Sequence, residues 1–164
     1  MKSKIKTILI LGVMVIMALG LFTGCEENTE IGTRIQFYCG DIGNFSTEAL
    51  DSHPIVTKLV KSADELQRFC DESGIIYKGE KYDEAFFSDR ALLIYFFNNE
   101  STMISIHIDS LTVNNETLTI NITRRVPRAG YIDEVENRSY VFEINQGDVA
   151  DINNIHVSKK DKYK

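Results

Sequence analysis

The chain has 164 residues, 43% of them hydrophobic, with 24 Asp and Glu against 18 Lys and Arg and a net charge of −6. That balance argues against nucleic acid as a partner, because such binding rests on excess Lys and Arg that neutralise phosphates. The length suits one domain with a sizeable core, and the chain shows neither a repeat nor a low-complexity segment.

Residues 1–24 read as an export signal. Lys2, Lys4 and Lys6 precede a 16-residue uncharged run from Thr7 to Phe22, and small residues follow before a cysteine, Thr23-Gly24-Cys25. The run is short of the roughly 20 residues that span a bilayer comfortably as a helix. The Gly24-Cys25 ending resembles the lipobox of bacterial lipoproteins, with Phe22 where Leu is usual and Leu21 one place earlier. The resemblance implies cleavage before Cys25 and a diacylglycerol on its sulfur. Cys25 is then the lipidation residue, membrane lipid is a partner, and the domain lies on the extracytoplasmic face of the cell membrane. An uncleaved anchor and an ordinary signal peptide are the alternatives.

The signal holds three of the 18 cations and none of the 24 acids, so the remainder carries 15 against 24, a net charge of about −9. An anionic membrane surface repels such a domain, which leaves anchorage to the acyl chains at about 0.8 kcal/mol per buried methylene. Residues 25–33 read as the lipidated cysteine and a tether; Glu26 to Thr33 is polar and acidic, and eight flexible residues span roughly 15 Å.

Residues 34–158 read as a single domain. Arg34 to Cys39 alternates as one strand, Gly40 to Asn44 is a turn, and Ile55 to Val60 is a β-branched strand that Pro54 introduces. Ser62-Ala63-Asp64-Glu65 is a capping box. Its Ser hydroxyl meets the Glu65 amide, and Glu65 reaches back to the Ser62 amide. The helix runs from Ala63 to Glu72 with Leu66, Phe69 and Cys70 as its apolar stripe. Tyr82 to Phe87 is one helical turn that Asp83 caps. Ala91 to Phe97 is apolar throughout and reads as a central strand buried on both faces, closed by a turn at Asn98-Asn99-Glu100.

Met103 to Val113 and Thr117 to Val126 form a hairpin around Asn114-Asn115-Glu116, since Asn tolerates the positive φ of tight turns. Ile104, Ile106 and Ile108 share a face, as do Leu118, Ile120 and Ile122. Leu111 falls three residues after Ile108, so a β-bulge at Asp109-Ser110 is needed to return Leu111 and Val113 to the core face. Arg138 to Asn145 is another strand, Gly147 to Ile152 a helical turn, and Ile155 to Val157 a short last strand. The charged tail, 159–164, is expected to fray. The whole reads as an α+β, mostly β domain: a small antiparallel sheet or sandwich with one main α-helix packed on it.

From Val60 to Ile144 the pattern resembles the C-terminal domain of the PrcB family, lipoprotein partners of a bacterial surface protease complex. The residues that carry the likeness are Lys61-Ser62-Ala63-Asp64-Glu65-Leu66, Phe69, Tyr82, Phe86-Phe87-Ser88-Asp89, Leu92-Leu93-Ile94, the hairpin, and Arg124-Arg125-Val126-Pro127. They cover about half the chain and are mostly structural. The resemblance implies a protein-binding accessory module and supplies no catalytic motif.

The residues themselves point to no chemistry. His53, His107 and His156 stand apart from any metal-ligand spacing, and no nucleophile elbow or glycine-rich phosphate loop occurs. The acid pairs Glu26-Glu27, Asp71-Glu72 and Asp83-Glu84 fall in the tether and at helix ends. The expectation is no enzyme, no cofactor and no metal. Export permits a disulfide between Cys39 and Cys70; two buried thiols fit the pattern as well. The five Asn-x-Ser/Thr sequons, at Asn44, Asn99, Asn115, Asn121 and Asn137, read as turn chemistry in a bacterial lipoprotein.

One cluster stands out as a partner-binding candidate: Arg124, Arg125 and Arg128 around Pro127, followed by Tyr131. Arg and Tyr are favoured at protein interfaces. The plain alternative is a solvated strand end that balances Asp133, Glu134 and Glu136. The functional expectation is a lipid-anchored accessory protein that binds a partner protein, in a surface protease complex if the resemblance holds. The alternative is a small-molecule or peptide-binding lipoprotein with Tyr95, Phe96 and Phe97 lining a pocket.

Overall fold

The structure, a computed structural model, describes residues 32–40, 43, 45–46, 55–128 and 135–164. The expectations for the signal, Cys25 and most of the tether, and for Tyr131, fall outside them. The fold is α+β and mostly β.

Two four-stranded sheets face each other. The first has the order β1 (Thr33–Ile35), β7 (Ser105–Asn114), β8 (Thr117–Val126), β10 (Asn154–Tyr163). The second has the order β2 (Phe37–Cys39), β9 (Val135–Asn145), β6 (Arg90–Ser101), β4 (Ile55–Val60). The helix α1 (Ala63–Ser73) and a two-stranded ribbon of β3 (Phe45–Ser46) and β5 (Ile76–Tyr77) complete the elements.

Alternation along β6 builds two cores, because successive side chains on a strand point to opposite faces. Ala91, Leu93, Tyr95 and Phe97 join Leu111, Leu118, Ile120, Ile122, Phe142 and Ile144 between the sheets. Leu92, Ile94 and Phe96 join Leu66, Phe69, Cys70, Phe45 and Phe87 on the other side, beneath α1 and the ribbon. The apolar run from Ala91 to Phe97 is thus a strand covered on both faces, as its composition requires. It continues past the expected turn at Asn98 to Glu100, through a register shift, to Ser101.

Ser62 caps α1 with its hydroxyl on the Glu65 amide at 3.1 Å, and Gly74 ends it in the left-handed region at φ 70°, where a side chain is disfavoured. The reciprocal half of the box is displaced by one residue: Glu65 accepts from the Lys61 amide at 2.7 Å, not from that of Ser62. The Tyr82–Phe87 segment ends in a 3-10 turn, Phe86–Ser88, with the Phe86 amide on the Asp83 carboxylate at 2.9 Å.

The hairpin turns at Asn115, which takes φ 50°. Its register slips between Ile108 and Ser110 and leaves Asp109 as the extra residue. Three contacts hold the bulge: Arg34 donates to the Asp109 carbonyl at 2.9 Å, Thr123 donates its hydroxyl to the Asp109 carboxylate at 2.6 Å, and His107 lies 3.9 Å from that carboxylate. Beyond it, Leu111 pairs with Ile120 and Val113 with Leu118, so the core face is restored.

Three expectations change. Arg34 to Cys39 is two short strands, β1 and β2, which belong to opposite sheets; the chain crosses the sandwich at Gln36. The last strand is not confined to Ile155–Val157, and the tail does not fray: β10 runs ten residues to Tyr163, paired with β8 along its whole length. That pairing is parallel, in a domain otherwise antiparallel.

Ile120 is fully buried while Ile106 is only partly covered near the open end of the sandwich. Ile120→Ala should therefore cost about 2–5 kcal/mol and Ile106→Ala distinctly less, read as denaturant midpoints at constant slope. Equal losses would mean that the core extends past Ile106.

Candidate functional site

Parallel pairing with β8 gives β10 its importance, because it carries a second set of cations beside the arginine cluster. The register sets Lys160 beside Thr123, Asp161 beside Arg124, Lys162 beside Arg125 and Tyr163 beside Val126. Partners on adjacent strands share a face. Arg125 and Lys162 therefore project together from the outer, solvent side of the first sheet, with Lys160 two residues away and Lys164 next in the alternation. Residues 159–164 were not expected to contribute; the alternation of Ile155 and Val157 before them was the available signal for a strand that continues.

Arg124 is the exception among the arginines. It shares the inner face with Ile106 and Ile122, at the rim, and meets Asp161 at 3.3 Å with its side chain 22% exposed. It is a structural ion pair more than a free contact. Arg125 and Arg128 are exposed. Among the described residues no carboxylate lies in ion-pair range of Arg125, Arg128, Lys160, Lys162 or Lys164. Among the described residues seven cations (Arg124, Arg125, Arg128, Lys159, Lys160, Lys162 and Lys164) thus gather at this end of an acidic chain, against two acids, Asp161 paired with Arg124 and Asp109 held by Thr123.

Two exposed apolar side chains sit at the same end. Tyr163 is 65% exposed, and Met103, just before the Ser105–Arg125 pairing that starts β7, is 41% exposed. Arg, aromatic and Met side chains are what protein interfaces are enriched in, whereas Lys is depleted there. An ion or lipid headgroup would need only the charge.

A second concavity lies at the open side of the sandwich. Thr57 to Leu59, the α1 face with Glu65, Arg68 and Glu72, and Ile152 to Ile155 enclose about 580 Å³. Two of its charged groups, Lys61 and Glu65, have structural duties. Lys61 donates to the Ala150 carbonyl at 2.7 Å, and Glu65 holds the helix start. Tyr95, Phe96 and Phe97 do not line it; all three are core residues, which removes them as pocket walls.

The Thr123–Asp109–His107 trio has the wrong order for nucleophilic catalysis. The hydroxyl is committed to the carboxylate and not to the imidazole, whereas a nucleophile must give its proton to the base. Among the described residues no group of His, Cys, Asp and Glu is placed to hold a metal, and no helix is long and apolar enough to cross a membrane. The chain matches no family model, no curated protein and no solved structure.

The cysteines do not pair. Cys70 is buried in the α1-side core, and Cys39 is exposed. The expectation of two buried thiols fails at Cys39, which keeps its strand parity but is exposed. It pairs with Phe142, whose side chain lies on the sandwich-core face, so the second sheet stands between the two sulfurs. Burial pushes the Cys70 thiol up, an effect that the Tyr77 backbone opposes and the Asp71 charge reinforces. A thiol-reactive disulfide reagent should therefore label Cys39 at once in the folded protein and Cys70 only after denaturation. A folded protein with no reactive thiol would contradict this.

Proposed function

We propose that this chain is a lipid-anchored, extracytoplasmic accessory protein that binds a partner protein through the basic end of its first sheet. The observation that carries the reading is the gathering of seven cations on and just beyond the ends of strands β8 and β10, against Asp161 and Asp109, with Tyr163 and Met103 exposed beside them. Anchorage rests on the Gly24-Cys25 signal, with Cys25 acylated. The resemblance to the PrcB C-terminal domain makes a surface protease complex the kind of assembly to test first. The reading assigns no catalysis to the chain.

Geometry favours a protein over the bilayer as the anion. The chain enters the domain at Thr33, beside Val113 and hence Leu118, whereas Arg125 and Lys162 lie at the other end of the same strands. Seven residues at about 3.3 Å each separate Leu118 from Arg125, roughly 23 Å. An anchor upstream of Thr33 thus joins the domain at the end remote from its cations.

A second reading, a small-molecule or peptide-binding lipoprotein, rests on the 580 Å³ groove between β4, α1 and the start of β10. That volume suits a small ligand, but ligand sites are mostly apolar, and this lining is charged and internally bonded. Thermal shift of an Arg68→Glu variant against the wild type, across a panel of small anions and peptides, separates the readings. Ligand-induced stabilisation that the variant loses would favour the groove.

Two variants test the main reading. Cys25→Ser should leave the precursor unlipidated and out of the detergent phase; wild-type partitioning would refute the anchor. Arg125→Glu/Arg128→Glu/Lys162→Glu should unfold at the wild-type temperature, since all three side chains are exposed. A partner identified by crosslinking on membranes should be bound at least about 2 kcal/mol more weakly, the scale of a hot-spot arginine. Undiminished binding at low salt would reduce the patch to a solvated strand end.

A further inference from the structure

The basic end is also an open sheet edge. β10 is the last strand in the order of the first sheet, and among the described residues its far edge carries no strand. Its start lies near β4, where Thr57 to Leu59 and Ile152 to Ile155 share a groove. From Ser158 onward every residue of the strand is exposed.

A long open edge offers a row of backbone donors and acceptors to any extended chain, and proteins commonly guard such edges with lysine. Here the guard is selective. A second copy of β10 would place lysines against lysines. An acidic strand would meet Lys160, Lys162 and Lys164, which recur every second residue, at the roughly 6.6 Å spacing of one face of any β-strand. Arg125 beside Lys162 deepens the positive face by one strand. On the other face Lys159 reaches over the Phe97 ring and Tyr163 stands exposed, a cation and an aromatic for the alternate side chains of an added strand.

We propose that β10 is a docking edge for an extended acidic segment of a partner protein, which adds as a fifth strand to the first sheet and places alternate Asp or Glu side chains against Lys160, Lys162 and Lys164. This rests on the protein-interaction reading and specifies its mode. In strand addition the main-chain hydrogen bonds supply affinity and alternate side chains supply specificity. A lipid headgroup or a polyphosphate would satisfy the charges but leave the backbone edge unused.

The test uses the full lipidated chain in neutral detergent and a labelled nine-residue peptide that alternates glutamate with valine and threonine. Two derivatives keep the charge: one is N-methylated at the glutamate amides, the other at the intervening amides. With the glutamates held on the lysine face, only one of these amide sets points at β10. One derivative should therefore bind at least tenfold more weakly than the parent, and the other close to it. The parent peptide should slow amide exchange of residues 157–163. If the two derivatives behave alike, whether both bind or neither does, or if inorganic polyphosphate of matched charge competes as well as the parent, strand addition is overturned while an acidic partner stands. If no peptide binds even at low salt, the proposal and the acidic-partner reading fall together.

Discussion

The fold depends on β6 being a wall that belongs to two cores. Its odd residues fill the space between the sheets and its even residues the space beneath α1, so neither layer can assemble without it. With β9 on one side and β4 on the other, its backbone is paired along both edges. Burial of a full aliphatic or aromatic side chain contributes about 1.5–3 kcal/mol, and from Ala91 to Phe97 every residue is buried. The first sheet is different in kind. Its inner face seals one core, and its outer face carries Thr, Asn, Ser, His and Lys side chains that need no cover. Among the described residues that outer face is the uncovered sheet face, and Arg125, Lys160 and Lys162 are on it.

The parts of this arrangement with local causes are legible in the sequence. Ser62 and Glu65 announce the helix start because capping is a matter of a few neighbouring residues, and the three-residue step from Ile108 to Leu111 announces the bulge because alternation admits no other repair. The parts that depend on distant partners are not legible. Nothing local says that Arg34 to Cys39 is shared between two sheets; Gln36 breaks the strand only because Ile35 and Phe37 pair with different ones, Leu111 and Ile144. Cys39 kept the expected parity but lies at a sheet edge where little covers it. Lys159 to Lys164 looked like a solvated tail because the apolar alternation ends at Val157. The backbone pairing with β8 nonetheless goes on to Tyr163. The candidate site suffered accordingly: three of its seven cations are visible as an arginine cluster, and the other four need the β8–β10 register.

That register is costly, which is the strongest reason to assign it a use. Like charges on directly neighbouring strand positions destabilise a sheet by a few tenths of a kcal/mol to about 1 kcal/mol, and Arg125 beside Lys162 is such a pair. Salt screens part of the repulsion, and the Arg124–Asp161 contact one residue earlier offsets some of the rest. In a chain with six more acids than bases, neutral or acidic residues at 160, 162 and 164 would remove the repulsion and still shield the edge. Local arrangements that oppose stability without an evident structural gain are expected where a protein meets something else. On the reading proposed above, the charge excess on β10 answers to a surface outside the chain, and its sign would make that surface acidic.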